Sequence, residues 1–126
     1  MDIPTLLQHF EEVFNNLLNF GFPLPVDNIS TQIHLTHKSG YYGICQHKRQ
    51  NGTLFHTIGI NTNFVANGTD KAIINTLYHE LLHTLPNCQN HGPEWKRYAK
   101  RVKDLFGYDV RRTGGDKTAK DYESLK

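Results

Sequence analysis

The sequence predicts an α+β domain in which a three-stranded antiparallel sheet packs on three helices. Two observations support this prediction: apolar residues recur every three to four positions near both ends of the chain, but every second position between residues 29 and 62. At 126 residues the chain is long enough to bury a hydrophobic core without a disulfide. We expect residues 1–107 to form this domain and residues 108–126 to form a flexible basic tail.

The composition indicates an ordinary cytoplasmic protein. Its formal charge of +2 is too small to select a class of partner. Cys45 and Cys88 lie in different segments and form no CxxC pair, so we expect reduced thiols, although one disulfide stays open as an alternative. The first residues do not resemble a signal peptide, and no apolar run reaches membrane-spanning length. We therefore expect a monomer with no membrane partner.

The first predicted helix runs from Ile3 to Phe20. Asp2 can cap its start, Pro4 is tolerated in a first turn, and Gly21 ends the pattern. Its apolar positions have helical spacing and are Leu6, Phe10, Val13, Leu17 and Phe20. This helix is expected to cover the core.

Three strands are predicted next, near residues 29–35, 41–47 and 54–61, as an antiparallel meander. The Asn51-Gly52 pair between the last two is typical of a hairpin turn, because both residues accept positive φ. Histidines at positions 34, 37, 47 and 56 can each face solvent or a cleft wall, since none has a ligand partner at a recognisable spacing. The sequence does not nominate one of them for a site.

A second helix is predicted to start at Thr69 or Asp70 and to end shortly after His83, before Pro86. Its apolar arc is formed by Ile73, Ile74, Leu77, Leu81 and Leu85. The arc would turn His79 and His83 together toward a cleft, with Glu80 at its margin.

Residues 79–83 form an HExxH motif on this helix. His79 and His83 are four positions apart and can aim two imidazoles at one metal ion, while Glu80 can act as a general base without being a ligand. A short motif of this kind also occurs by chance on helix surfaces. A catalytic zinc site normally takes a third protein ligand, which has to come from elsewhere in the chain.

His91 is positioned to be that third group. Gly92 allows a sharp turn and Pro93 opens a third helix, which is predicted to run to Phe106 and to end at Gly107. His91 would then stand between two packed helices and could fold back toward the first. The expected buried residues of the third helix are Trp95, Ala99, Val102 and Phe106.

The HELLH run of residues 79–83 and the CQNHGPEW run of residues 88–95 resemble the SprT-like zinc metallopeptidases, which include the Spartan proteases of DNA–protein crosslinks. The resemblance covers about residues 3–106 and implies a small zincin-like domain with one zinc ion. It implies that His79, His83 and His91 bind the metal and that Glu80 is catalytic. Many family members continue into a cysteine-rich zinc ribbon. Cys88 is the last cysteine here, so this chain is expected to be either a shortened form or a member without the ribbon.

Other ligand sets fit the sequence less well. The metzincin spacing needs a glycine where Pro86 stands and a histidine where Gln89 stands. A carboxylate ligand from the third helix would be Glu94 or Asp104, and Glu94 is better explained as an acid near a helix N-terminus. Cys88 could bind zinc as thiolate, but a buried loop residue is the simpler interpretation.

The third helix and the tail are basic. The residues that could contact DNA phosphates are Lys96, Arg97, Lys100, Arg101, Arg111 and Arg112. Such a face can bind DNA without reading its sequence, but a solvated charged face explains the run equally well.

The leading hypothesis is a zinc metalloendopeptidase that hydrolyses proteins or peptides with a metal-activated water and Glu80 as base, with DNA-bound proteins among its expected substrates. The rival hypothesis is a zinc-containing DNA-binding or regulatory module with negligible peptidase activity. A third is a scaffold without metal.

Overall fold

The computed structural model describes residues 1–37 and 40–111, and within them the chain forms four α-helices and one three-stranded sheet. In chain order the elements are α1 (Ile3–Asn19), β1 (His34–Thr36), β2 (Gly43–Gln50), β3 (Thr53–Asn61), α2 (Thr62–Asn67), α3 (Asp70–Leu82) and α4 (Pro93–Phe106), with a short 3-10 helix at Val26–Asn28. The prediction of an α+β class is confirmed. The predicted tail from residue 112 onward lies outside the described residues.

The long helices begin and end at the residues whose chemistry predicts it. The Asp2 side chain accepts a hydrogen bond from the Thr5 amide at 2.9 Å, and Thr69 caps α3 in the same way through the Ala72 amide at 3.1 Å. Gly107 ends α4 in the left-handed conformation with φ of 81°. The buried face of α1 consists of Leu6, Phe10, Val13 and Leu17.

The predicted antiparallel meander is wrong for the first strand, because the sheet is mixed. Its strand order is β1-β3-β2, and β1 runs parallel to β3 with Leu35 opposite Ile60. Ile58, Gly59 and Ile60 are buried, so β3 is the strand best suited to the centre. β2 ends in five exposed polar or charged residues, and such a strand is better tolerated at an edge.

The predicted hairpin between β2 and β3 is confirmed. Asn51 and Gly52 have φ of 51° and 81°, as a two-residue turn with positive φ at both positions requires. This turn places Gln50 opposite Thr53 and His47 opposite His56. The two strands therefore form a continuous antiparallel ladder from residue 43 to residue 60.

A short helix was missing from the prediction of three helices. α2 follows β3 directly, and the Asn61 side chain caps it by accepting a hydrogen bond from the Phe64 amide at 3.1 Å. It is only six residues long, so it has too few turns to show a clear apolar period. Phe64 packs face to face on Tyr42 with ring centroids 4.4 Å apart, which attaches α2 to the start of β2.

α3 lies between the sheet and the two long helices. Its Ile73, Leu77 and Leu81 side chains are fully buried in the core. Tyr78 accepts a hydrogen bond from the Asn16 amide group of α1 at 3.1 Å, and its ring stacks on Phe106 of α4 with centroids 5.4 Å apart. These contacts attach the C-terminal half of α3 to α1 and α4.

Among the described residues, no helix combines the length and apolar character needed to cross a lipid bilayer.

Candidate metal centre

Three imidazole rings converge at the C-terminal end of α3. The Nε2 atom of His91 lies 3.1 Å from Nε2 of His83 and 3.2 Å from Nε2 of His79. The structure thus brings together the three histidines that the sequence nominates. His83 is buried, and His79 and His91 are half-buried, so the cluster is partly accessible to solvent.

The end of α3 and the loop that follows bring His91 back to the helix. α3 tightens after Leu82, where the amides of His83, Thr84 and Leu85 bond three residues back instead of four. Asn87 then adopts a left-handed φ of 61° and reverses the chain. The helix ends slightly earlier than predicted, but His83 keeps a helical backbone and remains one turn from His79.

The loop also orients one ring. Nδ1 of His83 donates a hydrogen bond to the carbonyl oxygen of Cys88 at 2.8 Å. Because a carbonyl only accepts, the proton of the neutral ring is on Nδ1 and the lone pair is on Nε2. A backbone carbonyl in this position is typical of the partners that fix metal-binding histidines.

Trp95 of α4 packs against all three rings. Its ring centroid lies 5.0 Å from that of His79, 5.7 Å from that of His83 and 4.7 Å from that of His91, and the contact with His83 is stacked. Trp95 is 1 % exposed and forms the inner wall of the cluster. The sequence predicted its burial, but its apolar period does not reveal that it supports the histidines.

Burial keeps the α3 imidazoles neutral. Burial, with a smaller contribution from the nearby rings of His83 and His91, lowers the pKa of His79 to about 3. It lowers the pKa of His83 to about 4, although the hydrogen bond to Cys88 acts in the opposite direction. Nδ1 of His79 has no hydrogen-bond partner in the described part of the chain, although the nearby Arg111 backbone slightly favours the protonated ring.

The three histidines fit a bound metal ion. Tetrahedral coordination at 2.0–2.1 Å requires ligand nitrogens about 3.3 Å apart, close to the two distances given above. Hydrogen bonds alone explain this arrangement poorly, because a single N–H at Nε2 of His91 can be donated to only one of the two neighbouring nitrogens at a time. Neutral imidazoles with free Nε2 lone pairs are the form that binds a divalent cation.

Glu80 lies beside this cluster. Its Oε2 atom is 3.9 Å from Nε2 of His79, and its side chain is 10 % exposed. Burial raises the pKa of Glu80 to about 8, so at neutral pH and without a cation the pair is a carboxylic acid next to a neutral imidazole. The carboxyl group therefore faces the histidines from a position more enclosed than the predicted margin of the helix.

Gly43 allows β2 to approach Glu80 closely. A Cβ atom at this position would lie 2.7 Å from Cγ2 of Thr76 and 3.1 Å from Cγ of Glu80. Any larger residue would push the strand away from α3. The start of an edge strand thus lies next to the carboxyl group and the histidine cluster.

The alternative ligands lie elsewhere. Glu94 forms an ion pair with Arg97 on α4, and Asp104 pairs with Lys100 at 2.8 Å. Cys88 is fully buried, and its thiol donates to the Pro86 carbonyl at 3.4 Å. Burial raises the pKa of Cys88 to about 11, and neither group of potential metal ligands in the described part of the chain includes this thiol.

The basic residues of α4 are exposed, but several have partners within the chain. Besides the pairs of Arg97 and Lys100, Arg101 donates to the Phe20 carbonyl at 2.9 Å and lies over the Phe22 ring. Arg111 pairs with Asp109 at 2.8 Å. Lys96 is exposed, and Arg112 lies outside the described residues. The role of these residues in DNA contact stays a prediction.

A second group that could hold a metal ion was missed by the sequence reasoning. It consists of Cys45, His47 and His56 on the β2–β3 hairpin. The signal that could have found it is the Asn51-Gly52 turn, because a two-residue turn already pairs His47 with His56 and places Cys45 on the same face. His56 is buried, contrary to the solvent-facing alternative, whereas His47 is exposed.

Comparison with known proteins supports one family. A family model described as the SprT-like family matches residues 5–114, which is most of the chain. A comparison with curated proteins found no significant match. The matched region contains α3, the loop to α4 and the whole histidine cluster. The chain belongs to the SprT-like family.

Proposed function

We propose that this protein is a zinc-dependent metalloendopeptidase. The observation that carries the proposal is the convergence of the Nε2 atoms of His79, His83 and His91, with the Glu80 carboxyl group 3.9 Å from the His79 ring. Three protein ligands leave a fourth position for water or substrate, as catalytic zinc sites require. Membership of the SprT-like family supports the same function.

Zinc is the metal that this ligand set favours, since borderline imidazole ligands in a tetrahedral arrangement suit it well. When bound, one zinc ion would polarise the scissile carbonyl and acidify a water molecule. Burial keeps the rings of His79 and His83 neutral, and His83 is oriented by the Cys88 carbonyl. Trp95 closes the inner side and prevents the rings from turning away.

Glu80 would move the proton. Its Oε2 atom accepts a proton from the attacking water, while the water oxygen forms the new bond to the peptide carbon. Oε2 then delivers that proton to the leaving nitrogen as the carbon–nitrogen bond breaks, so the carboxylate is regenerated and no acyl-enzyme forms. Burial raises the pKa of Glu80 in the metal-free protein, and a bound cation would lower it again, so that the carboxylate is ionised and can accept the proton.

The substrate would lie along β2. Among the described strands, β1 and β2 are each paired on one side only, and the Gly43 end of β2 lies beside Glu80. The unpaired edge can bind an extended peptide by adding a strand, which would place a backbone carbonyl near the histidine cluster. Backbone binding of this kind favours hydrolysis of unfolded protein segments over folded ones.

The test is hydrolysis of casein, and of the chain itself, by the native protein and a Glu80→Gln variant at measured zinc occupancy. We expect Glu80→Gln to keep its zinc and lose on the order of 10²- to 10⁴-fold in rate. Glu94→Gln is the matched control, because that carboxylate belongs to an exposed ion pair and its loss leaves the rate unchanged. An undiminished rate in Glu80→Gln excludes the proposal.

DNA is a proposed partner, for which the outer face of α4 is the best candidate. Lys96, Lys100, Lys103 and Arg111 line one groove of about 370 Å³. Phosphate contacts of this type bind without sequence preference and weaken steeply with salt. A double variant on α4, Lys96→Glu with Lys103→Glu, should bind DNA more weakly at low salt than the native protein. The control is the double variant Lys48→Glu with Lys71→Glu, which has the same net charge and should bind DNA more tightly than the α4 variant. Salt-dependent DNA binding combined with no proteolysis would favour the alternative of a regulatory module.

A further inference from the structure

The β2–β3 hairpin carries three potential metal ligands on one face. Cys45 and His47 are two positions apart on β2, so their side chains point the same way, and His56 lies directly opposite His47 on β3. The Asn51-Gly52 turn sets this register four residues beyond His47. Three side chains from two strands are therefore held together by the backbone ladder itself.

The side chains are close enough to share one ion. Nδ1 of His47 lies 2.8 Å from Nδ1 of His56, and one ligand atom from each of the three residues lies within 4.8 Å of the other two. The two imidazole rings are perpendicular, with centroids 5.0 Å apart. His56 is buried, Cys45 is half-buried and His47 is exposed, so the group opens to solvent on one side.

The chemistry of the group is that of a metal site. Partial desolvation lowers the pKa of His47, whose side chain is otherwise exposed, and burial lowers the pKa of His56, so both imidazoles are in the neutral form that coordinates a metal. A hydrogen bond between the two rings uses one nitrogen of each imidazole and does not involve the thiol of Cys45. Thiolate and imidazole together select borderline and soft cations such as Zn²⁺ over Mg²⁺ or Ca²⁺.

We propose that Cys45, His47 and His56 form a second site for a thiophilic divalent cation such as Zn²⁺, separate from the three-histidine site. Burial, together with the nearby charge of Glu80, raises the pKa of Cys45 well above its ordinary value, so the thiol is protonated in the metal-free protein. Metal binding replaces this proton, which is released to solvent, and the imidazoles bind through nitrogen lone pairs. Tetrahedral Zn–S and Zn–N bonds require ligand atoms about 3.3–3.6 Å apart, so side-chain adjustments within the hairpin suffice. The fourth position lies on the exposed side of His47.

The second site is electrostatically close to the first. A charge on His47 lowers the pKa of His83, and the charge of Glu80 contributes to the raised pKa of Cys45. A cation on the hairpin would therefore anchor the strand that lies next to Glu80. This inference does not depend on peptidase activity, and either one can fail without the other.

Cobalt(II) titration of the full chain tests the proposal, because only a thiolate ligand produces the sulfur-to-cobalt charge-transfer absorption in the near ultraviolet. The native protein should take up two equivalents of Co²⁺ and show this band. Cys45→Ser should lose the band and one equivalent. Cys88→Ser, the matched control, should keep both. A combined His79→Gln and His91→Gln variant should lose one equivalent but retain the band.

An exposed variant guards against misfolding. His47→Gln changes a surface side chain, so its circular dichroism spectrum should match that of the native protein. Its Co²⁺ affinity, measured from the growth of the charge-transfer band during titration, should fall at least about ten-fold. Absence of the band in native protein saturated with cobalt would overturn the proposal. A band that survives Cys45→Ser, or an affinity that His47→Gln leaves unchanged, would overturn it as well.

Discussion

Nδ1 of His83 donates a hydrogen bond to the carbonyl oxygen of Cys88 at 2.8 Å, and this contact points the free Nε2 lone pair of the ring at His91. The donor is at the end of α3, and the acceptor is in the loop that carries the chain to α4. One backbone carbonyl thus couples the course of the loop to the orientation of a proposed ligand.

Gly43→Ala should reduce proteolysis without removing the metal. The added Cβ would lie 2.7 Å from Cγ2 of Thr76 and 3.1 Å from Cγ of Glu80, so β2 or the carboxyl group must shift. We expect the rate to fall about ten- to a hundred-fold at unchanged zinc content. Adding Thr76→Ser removes the contacting methyl group and keeps the hydroxyl that donates to the Ala72 carbonyl, and it should restore much of the rate. Failure of this rescue would contradict the steric explanation.

Trp95→Phe should weaken zinc binding as well as the fold. The smaller ring cannot contact His79, His83 and His91 at once, so we expect zinc affinity to fall about ten-fold and the free energy of unfolding to fall by about 1–3 kcal/mol. Phe106→Leu is the control, because Phe106 packs on Tyr78 away from the cluster and should change stability alone. Competition with a chromophoric chelator measures the first quantity and urea denaturation the second. Equal zinc affinity in both variants would show that Trp95 is only a core residue.

The metal-free protein should lose stability in acid because of its buried histidines. Burial lowers the pKa of His79 and His83 to about 3 and 4 from an ordinary value of 6.5. Below pH 6.5 the unfolded chain binds protons that the folded chain excludes, so stability present above pH 6.5 is lost as the pH falls toward 4. The urea concentration at the midpoint of unfolding, measured in the presence of chelator, should fall between pH 7.5 and pH 5. This fall should be smaller for the double variant His79→Gln with His83→Gln than for the native chain. Parallel falls would refute this assignment.

Glu80 should have the opposite dependence. Burial raises its pKa to about 8 from 4.5, so its contribution to the stability of the metal-free protein is complete below pH 4.5 and is lost as the pH rises through 8. Glu80→Gln has no proton to lose. The variant should therefore gain stability relative to the native chain between pH 6 and pH 9, as measured by urea denaturation in chelator. A constant difference over this range would mean that the carboxyl group is not desolvated.

Much of the helical structure could be predicted because its signals are local. Asp2, Thr69 and Gly107 act on residues within one helical turn. The apolar period of α1 identifies its four buried residues, although Phe20, which belongs to the same predicted stripe, is 48 % exposed. The β2–β3 hairpin was predictable for the same reason, since Asn51 and Gly52 specify their own turn.

The position of β1 could not be predicted in this way. Its parallel pairing with β3 depends on long-range competition among strands for the central position, which alternation of apolar residues does not record. The candidate site likewise combines features with a local sequence signal and features that depend on long-range packing. The spacing of His79 and His83 is a local signal, but the approach of Gly43 to Glu80 and the support from Trp95 exist only after the sheet and α4 have packed on α3.

The most direct measurement of the central claim is zinc affinity after removal of His91, because this ligand reaches the site through a loop instead of a helical turn. In a Cys45→Ser background, competition with a chromophoric chelator should show one zinc ion for the parent chain. Adding His91→Gln should weaken its binding at least about a hundred-fold and abolish proteolysis, whereas adding His34→Gln at an exposed position on β1 should change neither. Unchanged zinc binding in the His91→Gln variant would contradict a centre built from three imidazoles.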